Sequence, residues 1–138
     1  MTIHPQLDND CIVLGRFELS FVLLVKDASY PWLILVPELD DITEIYQMPV
    51  AEQKLLLDES SYLAKKLMQH FNGDKMNIAA LGNVVPQLHL HHVVRYINDL
   101  AWPAPIWGKH PATDYSVNQL EERICELKVL LSDRLLSV

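Results

Sequence analysis

Cysteine is nearly missing from this chain. Cys11 and Cys125 are the only two; they lie far apart, in no CxxC or Cys/His spacing, so neither a disulfide framework nor a structural zinc site is available to hold a fold. Both read as reduced thiols in a reducing compartment. Positive charge is scarce as well: 11 basic side chains stand against 18 acidic ones, a formal net charge of -7, and the basic residues are scattered. A surface for bulk nucleic acid would have to rise above that unfavourable field, so none is expected, whereas a small phosphate ester could still sit in one locally favourable site. Long apolar runs are absent too. Phe21 to Val25 and Trp32 to Pro37 are the longest, far below the roughly 20 residues that span a bilayer. Met1 to Asp8 has no basic region leading into an apolar one. No membrane association and no signal peptide are expected, and the expected location is the cytoplasm. Repeats, low-complexity tracts and linkers are also missing, so residues 1–138 are expected to form one domain.

What is there suits a globular core. Half of the residues are hydrophobic, enough to bury a core without covalent staples. Residues 1–10 are polar and read as irregular. Cys11 to Gly15, Phe17 to Val25 and Trp32 to Pro37 follow as three strands, the last two separated by a turn over Lys26 to Pro31, and their β-branched and aromatic content is what strands favour. Asp40 or Asp41 can cap a short helix through Ile42, Ile45 and Tyr46. Pro49 then opens a longer one over Val50 to Phe71, with Leu56, Leu63 and Leu67 on one face and Asn72-Gly73 as its stop. Met76 to Leu81 reads as a fourth strand, joined through the short connection Gly82 to Pro86 to a fifth, which makes the two antiparallel neighbours. Residues 98–113 are too rich in proline for regular structure and, with Trp102 and Trp107, too aromatic to be loose. Ser116 to Gln119 is a capping box that starts a C-terminal helix over 116–136, striped by Val117, Leu120, Ile124, Leu127, Leu131 and Leu135. The expected class is α+β: a five-stranded antiparallel sheet packed with helices, plus that C-terminal helix.

The informative stretch is Gln87-Leu88-His89-Leu90-His91-His92-Val93-Val94, which holds three of the six histidines. On a strand, Gln87, His89, His91 and Val93 share one face and Leu88, Leu90, His92 and Val94 the other. His89 and His91 then stand roughly 7 Å apart on one side. Two imidazoles so placed suit a nucleophile with an acid/base partner, or two metal ligands, or simply two surface histidines on a solvent-facing strand. A metal needs further ligands, for which His110, Asp99 and Asp114 are available, none at a diagnostic spacing. His92 points to the apolar side and reads as a structural, hydrogen-bonded histidine. Asn83, in the short loop before the strand, is a candidate phosphate contact or a turn residue. Trp32, Trp102 and Trp107 could stack on a base or serve only in packing.

The run Gln87 to Val93 resembles the histidine triad motif, His-φ-His-φ-His-φ-φ with φ hydrophobic, that names the HIT superfamily of nucleotide hydrolases and transferases. Leu33-Ile34-Leu35-Val36-Pro37 is similar to the family's strand ending in proline, and Asn77, Gly82 and Arg95 stand where such proteins carry Asn, Gly and a basic residue. The likeness spans about residues 11–97, and the tryptophan/proline loop with the final helix looks like a bacterial subgroup. Four departures stand out. Gln87 replaces the first triad histidine, His92 replaces a hydrophobic residue, and the phosphate-side loop is reduced to Asn83-Val84-Val85-Pro86, with Asp40 and Asp41 where a histidine often follows the strand's proline.

The resemblance implies a nucleotide hydrolase or nucleotidyl transferase. His89 would attack the α-phosphate to give a nucleotidyl-histidine, and His91 would bind the non-bridging oxygens. A main-chain carbonyl near Gln87 would orient the other ring nitrogen of His89. The Gln87 amide can hydrogen-bond a phosphate oxygen but cannot protonate a leaving group. Expected substrates are adenine nucleotides, among them dinucleoside polyphosphates, cleaved at a phosphoanhydride or phosphoramidate. No resident cofactor is implied; a divalent metal could arrive with the substrate. The other reading is a catalytically weak or inactive nucleotide- or metal-binding module of the same fold. A homodimer is implied, and Cys125, Val129, Leu130 and Leu136, which lie outside the main stripe of the final helix, point the same way.

Overall fold

A computed structural model describes residues 1–138. The elements run α1 (Pro5–Asp10), β1 (Cys11–Arg16), β2 (Ser20–Val25), β3 (Trp32–Pro37), a single 3-10 turn (Ile45–Gln47), α2 (Val50–Phe71), β4 (Lys75–Ala79), β5 (Leu90–Arg95) and α3 (Val117–Leu130). The strands form one antiparallel sheet in the order β1-β2-β3-β5-β4. The α+β expectation is met, with five strands and a C-terminal helix. β5, last in sequence, is therefore an inner strand. It lies between β3, where Ile34 faces His91, and the edge strand β4, where Ala79 faces His91.

Alternation along the strands divides the core in two. Val22 and Leu24 of β2, Leu33 and Leu35 of β3, and Leu90 and Val94 of β5 point to one side. There they meet Leu56, Leu63 and Leu67 of α2 and Leu127 and Leu131 at the end of α3. Each such leucine, withdrawn from water, contributes about 1.5–3 kcal/mol. On the other side Leu23, Val25, Ile34 and Val36 are covered by Leu7 of α1, Cys11 and Val85. A six-residue helix cannot cover a whole sheet face, and the part it leaves open is where the site lies.

Several boundaries differ from the sequence reading, each for a local reason. Residues 5–10 are helical because Pro5 sits in the first turn and the His4 ring accepts a hydrogen bond from the Gln6 N–H; histidine is not among the usual capping residues, which hid the start. The helix expected through Ile42 and Tyr46 shrinks to the 3-10 turn. Glu44, with Gln47 in a capping box, starts it in place of Asp40 or Asp41, and Asp41 itself takes a left-handed φ of 56°. The C-terminal helix stops at Leu130 instead of 136. Its chain then turns back so that Arg16 and Leu136 exchange main-chain hydrogen bonds of 2.9 and 2.7 Å. Gly15 permits that return, since a Cβ there would lie 2.5 Å from the Leu136 carbonyl oxygen. Val117, the first residue of the predicted stripe, is exposed.

The tryptophan/proline loop is pinned, as its composition suggests, and an ion pair does it. Arg95, at the end of β5 and 1 % exposed, donates to both carboxylate oxygens of Asp99, to Asn77 Oδ1 and to the Ala104 carbonyl. Asp99 also accepts from the N–H groups of Tyr96, Ala101 and Trp102. Burial alone would raise its pKa, but these donors and the guanidinium prevail and hold it near 2.

Candidate functional site

β5 starts at Leu90, so His91 and His92 obey strand alternation while Gln87 and His89 precede the ladder. His92 is fully buried on the helix side. Its Nδ1 lies 3.0 Å from the Leu90 carbonyl and its Nε2 lies 2.7 Å from Ser60 Oγ of α2. A carbonyl only accepts, so Nδ1 carries the proton and Nε2 accepts from the serine. Burial lowers its pKa to about 4. It is the structural histidine that its side of the strand implies.

His89 and His91 meet on the other side, with ring centroids 4.9 Å apart and planes 68° to one another. They are closer than two flat-strand positions because the chain before Leu90 has left the sheet. His89 Nδ1 lies 2.7 Å from the carbonyl oxygen of Gln87. That fixes its proton on Nδ1 and leaves Nε2 with a free lone pair. His91 has the opposite arrangement. The Trp32 indole N–H can only donate, and it reaches His91 Nδ1 at 3.0 Å, so the ring proton of neutral His91 is on Nε2. Burial, then the neighbouring His89 and His92, push the His91 pKa down to about 3, and the ring stays uncharged near neutral pH. One imidazole therefore presents a lone pair and its neighbour an N–H.

Both rings open into a pocket of about 420 Å³ whose floor is Val25 and Ile34 and whose rim includes Gly82 and Asn83, a size that suits a small organic ligand. Gln6, Leu7 and Asp10 of α1 form one wall, Trp32 and Trp107 another. Trp107 stands edge-on to His91 at 5.2 Å and to Trp32 at 6.2 Å. These two tryptophans thus both pack and line the pocket, whereas Trp102 lies against the Arg95 guanidinium instead. Cys11 also borders the cavity. Burial and the nearby Asp10 charge push its thiol up to about 12, so it carries no thiolate that could compete as nucleophile.

Asn83 lies at the rim of this pocket. Gln87 does not border it. Its side-chain oxygen accepts from the His4 N–H at 2.8 Å and its NH₂ donates to the Thr2 carbonyl at 2.9 Å, which ties the amide to the N-terminal segment, while the residue borders a small neighbouring cavity together with Gly82 and His89. The expectation that it shares the face of the two histidines fails because alternation does not hold ahead of Leu90. The residues available as further metal ligands do not converge either. Asp99 is bound by Arg95, and His110 Nε2 lies 2.6 Å from the Tyr30 hydroxyl. No three His, Cys, Asp or Glu side chains form a metal-holding group.

Sequence reasoning missed Trp32 as the partner of His91, since nothing in a pattern marks a contact between positions 59 apart. It also missed the wall supplied by α1, for which Pro5 was the one available signal.

Residues 6–98 match a family model described as HIT domain. Solved structures resemble the whole chain. A histidine triad protein from Marinobacter aquaeolei VT8 is 49% identical with a TM-score of 0.93, over 96% of this chain and 97% of that one. One from Bradyrhizobium japonicum is 38% identical with a TM-score of 0.89, over 98% of each chain. A third, from Sinorhizobium meliloti 1021, is 36% identical with a TM-score of 0.86, over 91% of this chain and 95% of that one. No curated protein matches the sequence. No helix is long and apolar enough to cross a membrane.

Proposed function

The chain belongs to the histidine triad family, and from that premise we propose that it is a nucleotide hydrolase or nucleotidyl transferase working through a covalent nucleotidyl-histidine at His89. The observation that carries this reading is the pair of opposite tautomers 4.9 Å apart. The lone pair of His89 Nε2 attacks the α-phosphorus; a P–N bond forms and the bond to the leaving group breaks, its electrons departing with that group. The Nε2–H of His91 donates to a non-bridging oxygen, whose negative charge grows in the transition state. Positive charge on the substituted His89 ring is met at Nδ1–H by the Gln87 carbonyl. Water then attacks phosphorus, the P–N bond breaks, its electrons return to Nε2, and the water's proton leaves to solvent.

The polarity of the pocket supports one class of leaving group. With the Gln87 amide bound to main chain and His91 neutral, neither motif neighbour of His89 is an acid for the departing atom. A phosphate of a dinucleoside polyphosphate leaves as a stable anion without help, whereas the amine of a phosphoramidate must take a proton as it departs. Phosphoanhydrides of adenine nucleotides are therefore the favoured substrates, with Asn83 and His91 as phosphate contacts. The working form is a homodimer in the cytoplasm, supported by the exposure of Cys125, Val129 and Leu136 on and beyond α3. The missing acid equally favours a second reading, a nucleotide-binding module with little or no turnover.

Hydrolysis of a panel of dinucleoside polyphosphates and nucleoside phosphoramidates, with and without a chelator, separates the two. Turnover together with an acid-labile nucleotide trapped on wild-type protein, both lost in His89→Ala, is the expected result. Tight nucleotide binding without product in either protein sinks the hydrolase and leaves the module.

A further inference from the structure

Gln87 stands at the head of the histidine motif, yet its side chain serves the other end of the chain. We propose that Gln87 is a positioning residue: its amide latches the segment Met1–Asp10 in place as a wall of the nucleotide pocket, while its own carbonyl aligns His89, so that closing the wall and orienting the nucleophile are one event. The proposal rests on the reading of His89 as nucleophile.

The geometry is specific to an amide. Gln87 Oε1 accepts from the His4 N–H at 2.8 Å, and Nε2 donates to the Thr2 carbonyl at 2.9 Å. Because one main-chain partner only donates and the other only accepts, the amide's orientation is fixed. A primary amide offers acceptor and donor side by side from one planar group. Imidazole offers them on opposite edges of its ring, aimed apart, so a histidine at position 87 could hold one of these partners but not both. The two bonds fall immediately before Pro5, where α1 begins, and α1 supplies Gln6, Leu7 and Asp10 to the pocket. The same residue's carbonyl lies 2.7 Å from His89 Nδ1. A shift of the Gln87 main chain, freed from its latch, moves the acceptor that holds the nucleophile's tautomer. On this view glutamine at the first triad position is a gained fastening that the N-terminal wall requires.

The latch can be cut from its far side without touching the motif. His4 has φ -52° and ψ 136°, values that proline adopts, so His4→Pro removes the N–H bonded by Gln87 with the backbone kept. His4→Ala is its control, since it loses the ring that caps α1 but retains the N–H. Amide hydrogen exchange over residues 6–10, affinity for adenosine monophosphate, and kcat and KM on a dinucleoside polyphosphate are measured for both, and for Gln87→Ala and Gln87→His. Losing one or both bonds is expected to speed exchange and weaken the nucleotide roughly five- to tenfold in His4→Pro and Gln87→Ala. His4→Ala gives the effect of losing the cap alone, and His4→Pro should exceed it in both exchange and loss of affinity. Gln87→His, which completes the three-histidine motif, should behave like Gln87→Ala and lower kcat as well as raise KM.

A Gln87→His variant faster than wild type overturns the proposal, as does His4→Pro indistinguishable from His4→Ala in exchange and affinity. If no variant, wild type included, turns over substrate, the hydrolase reading fails by itself; exchange and binding still decide the latch.

Discussion

Trp32 Nε1 donates to His91 Nδ1 across 3.0 Å, and this one contact decides which face of the His91 ring carries its proton. The indole comes from the first residue of β3 and the imidazole from the second residue of β5, strands that are hydrogen-bonded neighbours. Removing the N–H frees His91 to take the other tautomer, in which it offers the substrate a lone pair where a donor is needed. Trp32→Phe, which keeps an aromatic ring, is expected to lower kcat about fivefold, the value of one hydrogen bond near 1 kcal/mol that matters in the transition state. Nitrogen-15 chemical shifts of His91 should move from the Nε2–H to the Nδ1–H pattern. Unchanged shifts with unchanged kcat would show that the indole does not set the tautomer.

A pH dependence of stability follows from the two buried neutral rings. His91 and His92 are lowered from 6.5 to about 3 and about 4, in both cases chiefly by burial. Once unfolded, both bind protons near 6.5, so below that pH the unfolded chain holds more protons than the folded one. Their contribution is complete above about pH 6.5 and is lost progressively as pH falls toward the folded values. The urea midpoint should therefore drop between pH 7 and pH 4.5, and His92→Leu should flatten that drop. An equally steep fall in His92→Leu would mean that His92 is not one of the groups responsible.

Asp99 tests how the loop serves the pocket. Its carboxylate is nearly fully buried against Arg95, so Asp99→Ala leaves a buried guanidinium short of its counter-charge, at a cost of roughly 3–5 kcal/mol. The same loop carries Trp107 to its place beside His91. Chemical denaturation should register the lost stability, and the conservative Asp99→Asn variant should raise KM more than it lowers kcat. A loop that matters only for stability would leave KM of the folded protein untouched.

The parts of this molecule that were legible in sequence are those set by local chemistry. Pro49 and Asn72 mark the ends of α2, and Trp32 to Pro37 is read to the residue, because caps and apolar runs act over a few positions. The split of His91 from His92 follows from strand alternation alone. What could not be read depends on contacts between distant segments. The Leu136 return past Gly15, the Trp32–His91 bond and the turning of Gln87 toward Thr2 and His4 have no sequence period. The alternation rule itself failed at Gln87 for a physical reason: it belongs to paired strand, and pairing begins only at Leu90. The N-terminal wall went unrecognised because a histidine, read from composition as one polar residue among others, caps α1.

The insertion of β5 between β3 and the edge strand β4 has a consequence for how activity arises during folding. The strand bearing His91 must find a partner on each side, one of them reached only by closing a loop that contains the whole of α2 and β4. Such closure costs chain entropy before the contacts reward it, which makes it slow relative to the β1-β2-β3 meander. A chain that has folded only its first half has a sheet and a core but no site. Recovery of catalysis after denaturation should accordingly lag behind recovery of sheet signal, so that turnover reports the last step of assembly and not the first.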